Sequence, residues 1–220
     1  MSQGKRVAIV LSGCGVFDGA EIHESVMTML AVDRRGASYQ CFAPDIAQHH
    51  VVNHLTGDAT GESRNVLVEA ARIARGAIKP LHEYHAEDFD ALIFPGGFGA
   101  AKNLSDFAFR GDACQIDDQV KRAISATHQA GKPIGALCIA PAIIAKMFDG
   151  VTVTIGQDKD TAATLEKMGA KHQVTTHGGV CLDERYKVVT GPCYMLEATI
   201  SQIADGADNV VAKLLELAGN

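Results

Sequence analysis

The sequence predicts an α/β protein, with a doubly wound, mostly parallel sheet flanked by helices on both faces. Short β-rich apolar runs alternate along the chain with longer stretches of three-to-four periodicity. Several of those runs end directly in glycine turns, as strands buried on both faces of a parallel sheet do before a helix. No repeat, low-complexity tract or long charge run divides the 220 residues, so a single domain over 1–220 is expected.

Residues 7–11 (VAIVL) form the first strand, ending at Gly13. Ile22, Val26, Met29, Leu30 and Val32 then recur mostly at helical spacing, which predicts a helix over 22–34 that Gly36 ends. Residues 39–43 give a second strand and 65–75 (NVLVEAARIAR) a second helix stopped by Gly76. Between them, 45–63 has no firm period and is expected as a loop or small excursion carrying His49, His50 and His54. The strand 91–94 runs into Pro95-Gly96-Gly97. A helix over 117–130, a strand over 133–137 and a helix over 140–147 follow, the last tolerating Pro141 in its first turn. Residues 151–155 and 180–190 supply later strands, the second with a turn at 183–186, and a closing helix over 195–217 is expected to break near Gly206. Ligands of such folds sit at the carboxyl ends of the strands, so the turns after Leu11, Phe94 and Leu137 are where chemistry is sought.

Twenty Lys and Arg against 26 Asp and Glu give a formal charge of -6, without the basic excess that holds a phosphate backbone, so no nucleic-acid partner is expected. The longest apolar stretch, 134–147, is interrupted by Pro141 and Lys146 and falls short of the roughly 20 residues of a membrane span. After Lys5 and Arg6 the run 7–11 is too short for a signal peptide, and a cytoplasmic location is expected. Six cysteines without a Cys-x-x-Cys pair read as free thiols.

The sharpest turn is Gly135-Ala136-Leu137-Cys138-Ile139-Ala140-Pro141, where a small-residue strand ends on a cysteine and a helix starts at once. That is the pattern of a nucleophile elbow. A thiol there would meet unpaired helix amides, which favour the thiolate and lower its pKa; the alternative is a buried cysteine at a strand end. In Pro95-Gly96-Gly97-Phe98-Gly99 the Gly97 amide, paired with that of Ile139, would form an oxyanion hole, or the segment is simply a tight turn. The turn Ser12-Gly13-Cys14-Gly15-Val16-Phe17-Asp18-Gly19 matches only two glycines of a dinucleotide fingerprint, with Asp18 at the third position, so no nucleotide cofactor is expected. Glu24, in the helix beyond it, would face the same strand ends as Cys138 and exchange protons with it, unless it is a dipole-compensating residue facing solvent. His50 with His54 and His82 with His85 have pairwise metal-ligand spacing, but no third donor completes either pair. Metal is not expected.

Together, the segment from Ser12 to Glu24, the segment Pro95-Gly96-Gly97-Phe98-Gly99-Ala100-Ala101-Lys102-Asn103-Leu104, and Leu137-Cys138-Ile139-Ala140-Pro141 resemble the ElbB family. So do Asn53-His54-Leu55-Thr56-Gly57 and Arg64-Asn65-Val66-Leu67. That isoprenoid-biosynthesis-associated glyoxalase family lies within the ThiJ/PfpI superfamily of class I glutamine amidotransferase-like proteins. The resemblance implies a flavodoxin-like sandwich, a homodimer, and a site of Cys138 as nucleophile, Glu24 as its carboxyl partner, and the Gly97 and Ile139 amides as oxyanion donors. It also implies cofactor-free conversion of a small aldehyde, glyoxal, to glycolate, reflecting deglycation of carbonyl-modified amines. Three departures narrow this. Ile139 stands where the protease branch has a histidine, disfavouring peptidase activity. The stretch 151–156 lacks the histidine of the Parkinson's-associated branch, which leaves the third catalytic member undefined; His177 is either a substitute or a solvated loop histidine. No His-x-Glu follows the elbow, so ammonia transfer from glutamine is not expected. A non-catalytic redox sensor with an oxidisable elbow thiol is the alternative function class.

Overall fold

The computed structural model describes residues 4–219. Its central sheet has seven strands in the order β3-β2-β1-β4-β5-β9-β8. These are β1 (Arg6–Val10), β2 (Ser38–Ala43), β3 (Ile78–Pro80), β4 (Ala91–Phe94), β5 (Ile134–Leu137), β8 (Cys181–Asp183) and β9 (Val188–Gly191). All pairings are parallel except β8 with β9, which is the hairpin expected within 180–190. The strands β4, β5 and β9 are buried along their whole length, which explains their continuous apolar runs.

Helices cover both faces. On one, α1 (Ile22–Arg34), α2 (Val66–Ile73) and α8 (Ile200–Leu217) pack over Val7, Ile9, Ile93 and Val189. On the other, α5 (Asp118–Gln129) and α6 (Pro141–Met147) pack over Ala8, Val10, Leu92 and Ile134. Asn65 caps α2 through the Val68 amide, and Asp117 caps α5 through the amides of Gln119 and Val120.

Several elements differ from expectation. The closing helix starts at Ile200 and runs unbroken through Gly206, because a capping box of Thr199 and Gln202 sets its start. Burial of Ile203, Ala207, Val210, Val211 and Leu214 outweighs the roughly 1 kcal/mol that an interior glycine costs. The strand expected over 151–155 shrinks to β6 (Thr152–Val153), which pairs with β7 (Lys171–His172) in a separate two-stranded sheet. It stops because the Ile155 amide, the next to face β7, donates to the His172 ring at 3.3 Å instead of to the backbone. Three α-helices were not anticipated: α3 (Phe98–Lys102) and α4 (Phe107–Arg110) are about one turn each, and α7 (Lys159–Lys167) is short, turning only Ala162 and Leu165, with Met168 just past its end, toward the core. The loop 45–63 is an excursion with isolated bridges joining Ala47 to Asn65 and Val52 to Ala59. No helix among the described residues is long and apolar enough to cross a membrane.

Candidate active site

Parallel pairing of β1, β4, β5 and β9 brings their carboxyl ends to one edge, and with them the turns that hold Gly97, Cys138 and Cys193. Cys138 follows β5 with φ 59°, a left-handed conformation rare for a side chain with a Cβ. Its own amide donates to the Gly191 carbonyl at 2.9 Å, while the Ala140 amide turns back to the Leu137 carbonyl at 2.9 Å. The thiol is thereby held at the head of the turn, in a buried residue.

Glu24 reaches the same point from α1. The Glu21 side chain caps that helix by accepting from the Glu24 amide, and the Glu21 amide donates to the Gly96 carbonyl at 2.9 Å. In return the Gly96 amide donates to Glu24 Oε2 at 2.9 Å, and the Tyr194 amide to Oε1 at 3.1 Å. The carboxyl is fully buried and within hydrogen-bonding reach of the Cys138 thiol. A Cβ on Gly96 would lie 2.3 Å from Cys138 Cβ and 2.6 Å from Glu24 Oε2, so only glycine fits between them. Gly97 has φ 95°, and a Cβ there would press on the Glu21 amide at 2.3 Å.

Burial pushes the Glu24 carboxyl from 4.5 up to about 8, prevailing over the Tyr194 and Gly96 amides that favour its charged form. The Cys138 thiol is also pushed up, first by burial and then by charge on Glu24, with the Gly97 and Ile139 amides pulling the other way. This corrects the expected lowering. The helix behind Cys138 has only seven residues, and its dipole does not offset loss of solvent around the sulfur. Two buried groups in contact resist carrying two negative charges, so they shed protons as a pair. The Gly97 and Ile139 amides both point at the Cys138 sulfur, where they would also meet an oxyanion formed beside it.

Cys138 opens onto a cavity of about 380 Å³ whose walls include Phe98, Phe107, Ile139, Tyr194 and Met195, with Asp158 and Thr161 at the α7 end. A wider depression of about 790 Å³ lies at the opposite edge of the sheet, around Arg6, Asp88 and Asp90, and its lining has no cysteine or histidine.

The four predicted site residues Cys138, Glu24, Gly97 and Ile139 therefore converge. His177 does not join them: its Nε2 is 2.9 Å from the Glu197 carbonyl, and it lines a separate depression with Gln202 and Asn209. His54 is 3.2 Å from the Phe17 amide and stacks near the Phe17 ring, while His49 and His50 lie against Phe109. Among the described residues no group of three or more His, Cys, Asp or Glu side chains gathers as metal ligands would. Sequence reasoning missed the roles of Gly96 and Tyr194 in holding Glu24. It also missed the contact of His23, whose Nδ1 lies 2.8 Å from the Tyr194 hydroxyl, and Cys193, whose thiol is pushed up first by burial and then by the nearby charges of Glu24 and Cys138. The Pro-Gly-Gly turn was the only available signal for Gly96, and nothing local marked Tyr194.

No protein-family model matches the chain. It is 49% identical over 224 residues to the Homo sapiens glutamine amidotransferase-like class 1 domain-containing protein 3, mitochondrial, covering 97% of this chain and 84% of that protein. Identity to the Danio rerio ES1 protein, mitochondrial, is 34% over 230 residues, covering 96% and 85%. The crystal structure of an isoprenoid biosynthesis protein with an amidotransferase-like domain from Ehrlichia chaffeensis superposes with TM-score 0.89 at 36% identity, over 96% of this chain and 99% of that one. Drosophila melanogaster DJ-1beta shares the fold, with TM-score 0.52 at 17% identity over 98% and 96% of the two chains. The chain belongs to the glutamine amidotransferase-like class 1 family that includes the ES1 and isoprenoid biosynthesis (ElbB) proteins, with the DJ-1, ThiJ and PfpI fold.

Proposed function

We propose that the chain is a cofactor-independent glyoxalase that converts glyoxal to glycolate through Cys138, reflecting a deglycase activity on carbonyl-modified amines. The observation that carries this reading is the convergence of Glu24 and the Gly97 and Ile139 amides on the Cys138 sulfur at the floor of a cavity. Its chemistry is nucleophilic addition to a carbonyl with an adjacent proton carrier.

In the proposed reaction the Cys138 sulfur bonds to one aldehyde carbon, and its proton passes by way of Glu24 to the carbonyl oxygen, giving a hemithioacetal. Glu24 removes the remaining hydrogen of that carbon as a proton and delivers it to the second carbonyl carbon, while the hydroxyl proton of the hemithioacetal passes to the second carbonyl oxygen. The first carbon becomes a thioester and the second an alcohol, so one is oxidised as the other is reduced. Water then cleaves the carbon–sulfur bond, releasing glycolate and restoring the thiol. A carboxyl that titrates near 8 accepts and returns protons around neutral pH, which suits Glu24 to the role.

Carbon-13 glyoxal supplied to the purified protein without added metal or thiol should appear as glycolate by NMR, and Cys138→Ser should abolish the conversion. Absence of glycolate with the wild-type protein would reject the reading.

A further inference from the structure

Resting on that reading, we infer that the substrate is a carbonyl compound carrying an uncharged apolar group of about ring size, for which glyoxal is an undersized stand-in. The cavity above Cys138 holds about 380 Å³, within the range of about 300 to 1,000 Å³ typical of pockets that enclose drug-sized ligands. Glyoxal, with four heavy atoms, fills a small part of it. Beyond the sulfur, the space is bounded by Phe98, Phe107, Ile139 and Met195, side chains that gain by taking an apolar surface out of water. Phe98 is 48% exposed although it faces this cavity, so a bound ring has an aromatic surface to cover.

The charges near the mouth do not select a charged tail. Asp158 is held ionised by the hydrogen bonds it receives from Thr161 as the cap of α7. Lys102, of opposite sign, lies over the Phe98 ring at 5.1 Å and donates to the Phe17 carbonyl at 2.9 Å. Each already has a hydrogen-bond partner within the protein. Tyr194, whose hydroxyl lies 2.8 Å from His23 Nδ1, and Thr161 are neutral polar residues of the lining.

Alkylation of Cys138 reads this preference without depending on turnover. The full-length protein is treated with iodoacetamide or with N-benzyl iodoacetamide, and modification of the Cys138 peptide is followed by mass spectrometry. In both cases a sulfur–carbon bond forms, iodide leaves and the thiol proton is released. Each rate is divided by that of the same reagent with free mercaptoethanol, which removes intrinsic reactivity. The benzyl reagent should be favoured at Cys138 by about tenfold, the effect of withdrawing part of one ring from water. Phe98→Ala, at a half-exposed position whose loss leaves the core intact, should lower that ratio severalfold. In turnover, phenylglyoxal should be converted to mandelate with a higher kcat/KM than glyoxal to glycolate. A benzyl preference at or below that of mercaptoethanol would overturn the inference, including the case in which a second copy of the chain closes the mouth. A ratio that Phe98→Ala leaves unchanged would overturn it as well. Glyoxal turned over as well as phenylglyoxal would overturn the inference but leave the proposed glyoxalase standing. No turnover of either aldehyde, with the benzyl preference intact, would reject the glyoxalase while supporting the apolar pocket.

Discussion

Replacing Glu24 with Gln should change how stability depends on pH more than it changes stability at any one pH. The folded protein raises the carboxyl from 4.5 to about 8 by burying it completely. Below 4.5 it is protonated in both folded and unfolded chains and does not affect the balance. Between 4.5 and about 8 only the unfolded chain releases the proton, so stability falls with rising pH. The slope is about 1.4 kcal/mol per pH unit, and the loss reaches about 5 kcal/mol at the upper end. Glutamine cannot titrate, so that slope disappears. It also presents one oxygen to the two amides of Gly96 and Tyr194, a pH-independent penalty of about 1 to 3 kcal/mol. The variant should therefore be less stable than the wild type at pH 5 and more stable at pH 8. Urea unfolding of both proteins at pH 5, 6, 7 and 8 measures the difference, which should move by about 4 kcal/mol across that range. Parallel profiles for the two proteins would refute the burial argument.

Other substitutions test separate parts of the account. Gly96→Ala forces a methyl between Cys138 and Glu24, and should cost about 1 to 3 kcal/mol in urea unfolding while lowering glyoxal turnover by about a hundredfold. Thr199→Ala removes the capping box of α8 and should lower Tm by about 3 °C, a loss of about 1 kcal/mol, without altering turnover. His177→Ala should leave kcat and KM unchanged, because His177 bonds to the Glu197 carbonyl outside the Cys138 cavity.

Cys138, Glu24 and Gly97 were legible because each closes or follows an apolar segment whose strand or helix character is local. Once the sheet is parallel, their convergence follows from topology rather than from any further residue. Tyr194 was not legible for the complementary reason. It reaches Glu24 only because β9, distant in sequence, inserts beside β5 with Leu137 opposite Gly191. The missed α7 had a signal that went unread: Ala162, Leu165 and Met168 recur at helical spacing on the face it turns to the core, but the stripe is short and built partly of alanine among polar residues. The direction of the Cys138 shift depends on how much solvent the surrounding loops exclude. A turn motif shows which amides are near the sulfur but not that exclusion.

The proposed chemistry rests on Cys138 and Glu24 sharing their protons as one unit. The rate of Cys138 modification by iodoacetamide, followed from pH 6 to 10 in the wild type and in Glu24→Gln, tests it most directly. The wild type should show a rise centred near 8, where the pair loses its first proton and the carboxylate can draw the thiol proton. Glu24→Gln should lose that step and keep only a rise at higher pH, from the buried thiol ionising alone. Superimposable profiles for the two proteins would contradict the shared proton.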